Sequence, residues 1–261
     1  MGYHEFYDCD GITQVTIPVD FDYTSGTRPF EECSNVTKIR YTKGETGEMP
    51  DTKVVSGGPN FQDDRLEYSV RNSLNEAEYE EGITKIGANT YYWSYYVGKY
   101  SAAKLKKVTL PESLKSIGAE AFRGCTSLSD IVLPKGVGSL GSGCFRDCVG
   151  LGVSMSDLGF PASLTNVSSY CFSGCKGLKG EVEIPKEIKS MGFYAFYDCD
   201  GITQVTIPVD FDYTSGTRPF EECRNVTKIR YTKGETGEMP DTKVVSGGPN
   251  FQDDRLEYSV R

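Results

Sequence analysis

Nine cysteines and one histidine, His4, are the residues of this 261-residue chain with the most obvious capacity for chemistry. Zinc sites pair cysteine and histidine at short spacings such as C-x2-C. The chain contains no C-x2-C pair, and its tightest pairs have the spacing of Cys144 and Cys148. We therefore favour structural thiols and expect no metal or other cofactor, with metal binding and disulfide formation as the alternatives.

A single histidine also limits catalysis. No Ser-His-Asp or Cys-His arrangement of a nucleophilic enzyme can be built from one histidine that stands near the start of the chain. The carboxylates have no predicted cleft that would raise the pKa of one of them. We predict that the chain is not an enzyme.

Two stretches superficially match ligand-binding motifs. Residues 136–141 spell G-x-G-x-x-G, which holds a pyrophosphate when it joins a strand to a helix. Gly141 holds the same place in its segment as Gly118 and Gly192, so a repeat already accounts for it. Residues 20–31 space their oxygen side chains like a calcium loop, but Ser25 stands where that loop needs glycine. We favour turns in both stretches.

The composition limits the partners. A net charge of −9 and a pI near 4.8 argue against nucleic acid and anionic lipid, whose phosphates need a basic surface. No run approaches the roughly 20 apolar residues that span a bilayer, so we expect no membrane insertion. The first ten residues lack the pattern of a signal peptide, and we expect that signal and anchor are not in this fragment.

The cysteines belong to a repeat of 23 to 27 residues. Seven of them follow a phenylalanine by three positions, and each is followed by the pattern apolar-x-x-apolar-x-apolar, usually with proline next. Alternating apolar residues predict a strand, and proline ends it. A unit this short cannot bury its apolar side chains alone, so units must stack and equivalent residues must form rows. The expected structural rows contain Phe122, Cys125, Phe145, Cys148, Phe172, Cys175, Phe196, Cys199, Phe220 and Cys223.

A longer repeat contains the shorter one. Residues 191–261 duplicate residues 1–71, with 67 of 71 positions identical. The four differences are Tyr3/Phe193, His4/Tyr194, Glu5/Ala195 and Ser34/Arg224. We favour natural segmental duplication in a longer protein over an engineered one, because the short units diverge freely within the 190-residue period.

The unit from Leu105 to Cys125 carries L-x-x-V-x-L-P followed by I-G-x-x-A-F-x-x-C. This pattern resembles the bacterial BspA-like leucine-rich repeat. The resemblance implies a leucine-rich-repeat solenoid, with a curved parallel β-sheet on one side and turns and short helical segments on the other. It also implies a secreted or cell-surface bacterial protein that takes part in adhesion. The motif fixes no binding residues.

The domain organisation follows from the repeat frame. We expect a single solenoid over 1–261, with first repeats in 1–42 and further repeats in 83–231. Residues 43–82 predict a polar insertion, with a short strand near 65–70 where apolar residues alternate. Residues 232–261 are its second copy.

Two groups of residues are candidate binding sites. The first is an aromatic run with the chain's only tryptophan, whose rings either contact a partner or fill the place of a missing Phe-x-x-Cys. The second is basic and lies on the expected sheet face, which we expect to be basic from Lys38 to Thr109 and acidic from Asp130 to Glu183. The candidates are Tyr92, Trp93, Tyr95, Tyr96, Tyr100, Lys38 and Arg40.

These observations predict a non-catalytic adhesion segment that presents an extended repeat face to proteins, cells or glycans. One alternative is a structural spacer or self-associating stalk. Another is a carbohydrate-binding module that uses the tyrosine and tryptophan cluster. Stacked units with similar ends also predict weak head-to-tail self-association.

Overall fold

The computed structural model describes residues 5–21, 30, 32–51, 68–95, 98–152, 158–208, 211 and 218–232. Short parallel strands dominate these residues. The elements are β1 (Gln14–Pro18), β2 (Lys38–Thr42), α1 (Tyr68–Ser73), β3 (Glu76–Tyr79), β4 (Lys85–Ile86), β5 (Tyr92–Tyr95), β6 (Gly98–Ser101), β7 (Lys107–Thr109), β8 (Ser116–Ile117), β9 (Ser139–Leu140), β10 (Asn166–Val167), β11 (Gly180–Glu183), β12 (Ser190–Met191), β13 (Ile202–Pro208) and β14 (Lys228–Thr232).

The longer strands form one side of the stacked units. Strands β1, β2, β3 and β7 pair in parallel in that order, and β11, β13 and β14 form a second parallel sheet. Alternate residues point inward, so Val15 and Ile17 are buried while Gln14 and Thr16 are exposed. This is the period of two that the sequence predicts for half-buried strands.

Two-residue strands form the opposite side. Strands β4, β8 and β9 pair in parallel, as do β10 and β12. Glycine directly follows β4, β8, β9 and β12, and it lets the backbones of neighbouring units approach closely: a Cβ on Gly118 would lie 2.3 Å from the backbone nitrogen of Ala88. Gly141 has the same role against Ala119, at 2.2 Å. The last glycine of the G-x-G-x-x-G stretch is thus a stacking residue.

A continuous aromatic stack runs between the two sides. Rings of adjacent units are nearly parallel, with centroids 5.1 to 5.5 Å apart. All of these rings are buried. In order along the stack they are Tyr91, Phe122, Phe145, Phe172, Phe196 and Phe220. The first unit adds a separate stacked pair, Phe6 and Phe30, at 5.4 Å.

The cysteines form a second row that joins the units by hydrogen bonds. The Sγ–H of Cys148 donates to the backbone oxygen of Phe122, the repeat phenylalanine one unit earlier, at 3.0 Å. The same bond at 2.8 to 3.1 Å is made by Cys33, Cys175, Cys199 and Cys223. The thiol therefore fills a small apolar site and also satisfies a carbonyl group.

The predicted insertion, residues 43–82, differs from the structure at both of its described ends. Strand β3 lies between β2 and β7 in the sheet. Glu48 forms an isolated β-bridge with Lys85, and the next residue, Met49, is buried. The predicted strand near residues 65–70 is also wrong over its described part, because α1 begins at Tyr68. Val70 and Leu74 are both buried, at the spacing of one helical turn. Residues 52–67 and 233–261 lie outside the described residues.

The two copies of the long repeat fold alike where both are described. Strands β1 and β2 pair Gln14 with Lys38, and β13 and β14 pair the equivalent Gln204 with Lys228. Stacked parallel strands and shared interior rows confirm the predicted leucine-rich-repeat solenoid. Among the described residues, no helix has the length and apolar character needed to cross a membrane.

Candidate functional site

The exposed side of the first sheet is an open polar surface, here called the sheet face. It consists of the outward side chains of β1, β2, β3 and β7, all exposed or half-buried. All-parallel sheets are normally covered on both sides by other elements. The members of the sheet face are Gln14, Thr16, Lys38, Arg40, Glu76, Glu78, Lys107 and Thr109.

The structure places the candidates Lys38 and Arg40 on this face, paired with the acidic residues of β3. Lys38 Nζ lies 3.7 Å from Glu76 and 3.2 Å from Glu78, and Arg40 Nε lies 3.8 Å from Glu78. The expectation of a basic surface from Lys38 to Thr109 is therefore wrong. Strand β3 lies within the predicted insertion, so the two glutamates that stand between the basic strands were not predicted.

Basic and acidic side chains also alternate from β7 to the next unit of the sheet face. The Nζ of Lys107 lies 3.6 Å from Asp130, and both side chains are more than half exposed. Exposed pairs of this kind contribute at most about 1 kcal/mol each to stability. Their main effect is to give the face a regular pattern of both charges, with no net attraction for one sign.

The second sheet carries a further acidic side chain, Glu181. The hydroxyl of Thr206 donates to its carboxylate and is the main reason why the pKa of Glu181 is lowered. Gln204 and the nearby charges of Lys228 and Arg230 act in the same direction, against a desolvation effect that raises this pKa. Glu181 is therefore held ionised on β11, two strands from β14, the second copy of the basic strand.

The aromatic run forms a β-hairpin, which none of the other units shows within its described residues. Strands β5 and β6 pair antiparallel, with Trp93 opposite Tyr100 and Tyr95 opposite Gly98. The hairpin stands between Tyr91, at the place of the repeat phenylalanine, and Ala102, at the place of the cysteine. The backbone N–H of Ala102 donates to Tyr91 at 3.0 Å, as that of Cys125 does to Phe122 at 3.1 Å.

The candidate residues of the run fall into two groups. Tyr92 is 3% exposed, and the guanidinium of Arg123 lies over its ring at 4.4 Å, so this ring is mainly a packing residue. Trp93, Tyr95 and Tyr100 have described backbones, but their side chains are not among the described parts. Tyr96 lies wholly outside the described residues.

Residues with positive φ flank the repeat aromatics, and the sequence did not predict them. The residue two before each buried ring of the aromatic stack has positive φ, and so does the residue two after each repeat phenylalanine. Glycine fills some of these places, such as Gly143 and Gly124, but two tyrosines also do so: Tyr170 has φ 57° and Tyr194 has φ 56°. A bulky residue in the left-handed region is rare and costs conformational energy. The sequence does contain a signal for these residues: one unit has glycine at the place where an equivalent unit has a bulky residue.

Asp20, the first residue of the calcium-like stretch, binds the neighbouring unit instead. Its carboxylate accepts hydrogen bonds from the backbone N–H groups of Glu45 and Thr46 at 2.8 and 2.9 Å. The Thr46 bond is the largest cause of a lowered pKa for Asp20. The carboxylate thus caps a turn. Residues 22–29 and 31 of this stretch lie outside the described residues.

The cysteines are free thiols, and all except Cys9 are buried. Burial raises the pKa of Cys144, Cys148, Cys171 and Cys175 well above the usual range of a thiol. A thiol that stays protonated is a poor nucleophile and a poor metal ligand. Within the described residues, no group of three or more Cys, His, Asp or Glu side chains could hold a metal ion.

Comparison with known families gives one match. A model described as BspA type leucine rich repeat region matches six copies, over residues 1–48, 96–152 and 151–237. These stretches include the Phe and Cys rows and the first part of each copy of the duplicated segment, and they cover more than half of the chain. Comparison with curated proteins gives no significant match.

Several solved structures are similar at low identity. A leucine-rich repeat protein of T. pallidum is 20% identical, with 84% of this chain and 69% of that chain covered and a TM-score of 0.38. A leucine-rich cell surface protein of Faecalibacterium prausnitzii is 16% identical, with 87% and 80% covered and a TM-score of 0.36. A leucine-rich repeat protein of Bacteroides ovatus is 21% identical, with 88% and 58% covered and a TM-score of 0.39.

Proposed function

Since the chain belongs to the BspA-type leucine-rich-repeat family, we propose that it is a non-catalytic interaction segment of a bacterial protein that is secreted or attached to the cell surface. Leucine-rich-repeat domains generally bind proteins. The finer proposal is that the sheet face binds a protein partner and so contributes to adhesion.

The open side of the parallel sheet is the observation that carries this proposal. Burying such a sheet on only one side leaves rows of outward side chains that the fold itself does not use. Glu78 contacts both Lys38 and Arg40, so the side chains of the face hold one another in place before a partner arrives. A pre-ordered polar surface loses less conformational entropy on binding.

Site-specific photo-crosslinking tests the sheet face. A benzophenone side chain is placed at Thr109 on the face, or at Lys115 on the opposite wall of the same unit; both positions are exposed. Incubation with solubilised cell-surface proteins should give adducts from position 109 and none from position 115. Equal adducts from both positions, or none from either, would contradict a binding role for the face.

The β5–β6 hairpin is a second candidate site, for a protein or a glycan. It is supported by one observation: a hairpin of aromatic sequence extends from the wall where the described sister units have a tight turn. Replacing Trp93 and Tyr95 by alanine separates the alternatives. Lost ligand capture with unchanged melting supports binding, whereas a large loss of stability supports packing.

The remaining alternative is a spacer or stalk that associates head to tail. It is supported by the repeat itself, since units of similar sequence stack on one another and offer similar surfaces to a second copy of the chain. Weak association should appear as a rise in apparent mass with concentration in light scattering. A constant monomer mass would argue against it.

A further inference from the structure

A row of alternating charges crosses the sheet face and continues into the next unit. This charge row consists of Lys38, Glu76, Lys107 and Asp130, whose side chains are 34% to 62% exposed. The four residues are paired in register: Lys38 with Glu76, Glu76 with Lys107, and Lys107 with Asp130. Neighbouring strands lie about 4.8 Å apart. The row therefore presents positive, negative, positive and negative charges in that order at a fixed spacing.

This order of charges is its own complement when it is reversed. A second chain that lies face to face with the first, related to it by a two-fold axis parallel to the strands, has the strand order reversed. Lys38 then faces Asp130 of the second chain, Glu76 faces Lys107 of the second chain, and the symmetry repeats both contacts. All four contacts join opposite charges. A two-fold axis at right angles to the strands would instead keep the strand order and place like charges opposite one another.

The neighbouring row of side chains fits the same arrangement. It consists of Arg40, Glu78 and Thr109, in register, and Val132 in the unit of Asp130. In the reversed order Arg40 faces Val132 and Glu78 faces Thr109, so no like charges meet. Val132 is 63% exposed, which is unusual for a large apolar side chain in the described part of the chain. The aliphatic stem of an arginine packs well on such a surface. The contact would therefore cover Val132.

The contacts already present within the charge row leave its members able to bind a partner. The Nζ of Lys38 lies 3.7 Å from Glu76, and that of Lys107 lies 3.6 Å from Asp130. Both distances exceed those of an ordinary N–H···O hydrogen bond. The chain as a whole has a net charge of −9, which opposes contact between two copies, but the charge row has two charges of each sign. Contact through the row therefore adds no repulsion, and its alternating charges select one orientation.

From these observations we infer that the sheet face binds a second copy of the same chain, face to face, with the two charge rows running in opposite directions. The inference rests on the proposed protein-binding role of the sheet face and names its partner. Such a protein on one cell would bind the same protein on another cell and so join cells of one kind. The two-fold contact is closed and stops at two chains, whereas head-to-tail stacking continues.

Sedimentation equilibrium of the full chain tests the inference. The apparent mass of the wild type should rise with concentration to that of two chains and no further. Lys107→Glu places like charges opposite each other at both symmetry-related contacts with Glu76, so the dimer should weaken about tenfold or more. Lys115→Glu is the matched control, because it makes the same change of net charge at an exposed position on the opposite wall. It should change the association by less than about twofold.

A charge-swap variant tests the orientation of the two chains. Glu76→Lys/Lys107→Glu changes the row to positive, positive, negative, negative, which is again its own complement in reverse. This variant should associate with itself about as strongly as the wild type does. Against a wild-type row it meets two contacts between like charges, so it should not pair with fluorescently labelled wild type. Thermal melting of each variant shows whether it is folded.

Several results would overturn the inference: a wild type that stays monomeric, an equal effect of Lys107→Glu and Lys115→Glu, a swap variant that does not associate with itself, or one that pairs equally well with wild type. Growth beyond two chains that Lys107→Glu does not reduce would also do so, since it indicates head-to-tail stacking. A monomeric chain that still gives crosslinks to other cell-surface proteins from position 109 would refute the second copy as partner and leave the proposed function standing. A monomeric chain without such crosslinks would contradict both.

Discussion

Replacing Gly141 by alanine tests whether close backbone stacking sets the geometry of the solenoid. The new Cβ would lie 2.2 Å from the nitrogen of Ala119 and 2.5 Å from the carbonyl carbon of Gly118, where ordinary contact begins at 3.4 Å. Both close neighbours are backbone atoms, which cannot rotate away. The two units would have to separate locally by about 1.2 Å, the difference between those distances.

The cost follows from that separation. Overpacking of a well-packed interior costs about 1–3 kcal/mol. The hydrogen bond from the Gly141 N–H to Ile117, now 2.8 Å, would lengthen and lose up to about 1 kcal/mol. We therefore expect Gly141→Ala to lower the free energy of unfolding by about 1–4 kcal/mol.

Gly138 provides a matched control within the same G-x-G-x-x-G stretch. A Cβ there would meet its nearest atom, the oxygen of Ser163, at 3.5 Å, which is an ordinary contact. Neither glycine has a positive φ, so the two alanine variants differ in space alone. Gly138→Ala should change stability by no more than about 0.5 kcal/mol. Urea unfolding followed by circular dichroism, with thiol labelling of the nearby Cys144, measures both. Equal midpoints for the two variants would refute the stacking argument.

Three other predictions follow from the interior rows and the turns. Cys148→Ala should cost about 1–2 kcal/mol in urea unfolding, through the lost bond to Phe122 and the space left behind, whereas Cys9→Ala at a half-buried site should cost less than about 0.5 kcal/mol. Burial raises the pKa of the interior thiols above the 9.0 of an ordinary thiol, so their contribution to stability is complete below pH 9.0 and is lost as the pH rises. The free energy of unfolding should then fall by up to about 1.4 kcal/mol per pH unit for each thiol. A stability that does not change between about pH 8 and 11 would contradict this. Glu32→Gly should raise the free energy of unfolding by about 0.5 kcal/mol and the melting temperature slightly, since Glu32 has φ 63° at the place that Gly124 holds in another unit. Gly124→Ala should lower the melting temperature for the same reason.

The repeat frame was predictable because its strongest signals are spacings of bulky or small residues. Every unit can bury a phenylalanine and the cysteine three residues after it only if equivalent residues of adjacent units lie over one another. The structure accordingly stacks the rings of Phe122 and Phe145 with centroids 5.3 Å apart. Ala121 and Cys144 also hold one equivalent place, directly before the repeat phenylalanine, and both are fully buried. These positions depend on neighbours of the same kind, which a single sequence already displays.

Strand β3 was missed because it lacks the usual marks of the repeat. Leu74, Ala77 and Tyr79 keep the apolar-x-x-apolar-x-apolar spacing, but alanine is a weak strand signal and Glu80 stands where proline is common. The contacts that stabilise β3 in the sheet, in place of the usual repeat residues, are seen only in the structure. The Tyr79 ring stacks on Tyr41 at 4.8 Å, and its hydroxyl bonds that of Tyr91 at 2.8 Å.

Helix α1 shows a different limit of pattern analysis. Its sequence alternates apolar and polar residues before Val70, which predicts a strand, while Val70 and Leu74 have the spacing of a helix turn. The backbone N–H of Leu74 donates to Val70 at 3.0 Å, and both side chains are buried in the interior. Tertiary burial therefore decided between two local patterns of similar strength.

The duplicated strands show how one sequence can carry two surface properties. Strands β2 and β14 share the sequence KIRYT and the same register against β1 and β13. Their neighbours differ, because β2 packs beside β3 with Glu76 and Glu78, whereas β14 lies two strands from Glu181. Since parallel stacking fixes where each side chain points, the adjoining strand determines which charges each basic pair meets. A partner that recognises the alternating charges of the sheet face should therefore distinguish the two copies, and a Glu78→Gln variant should reduce that difference in a direct binding comparison.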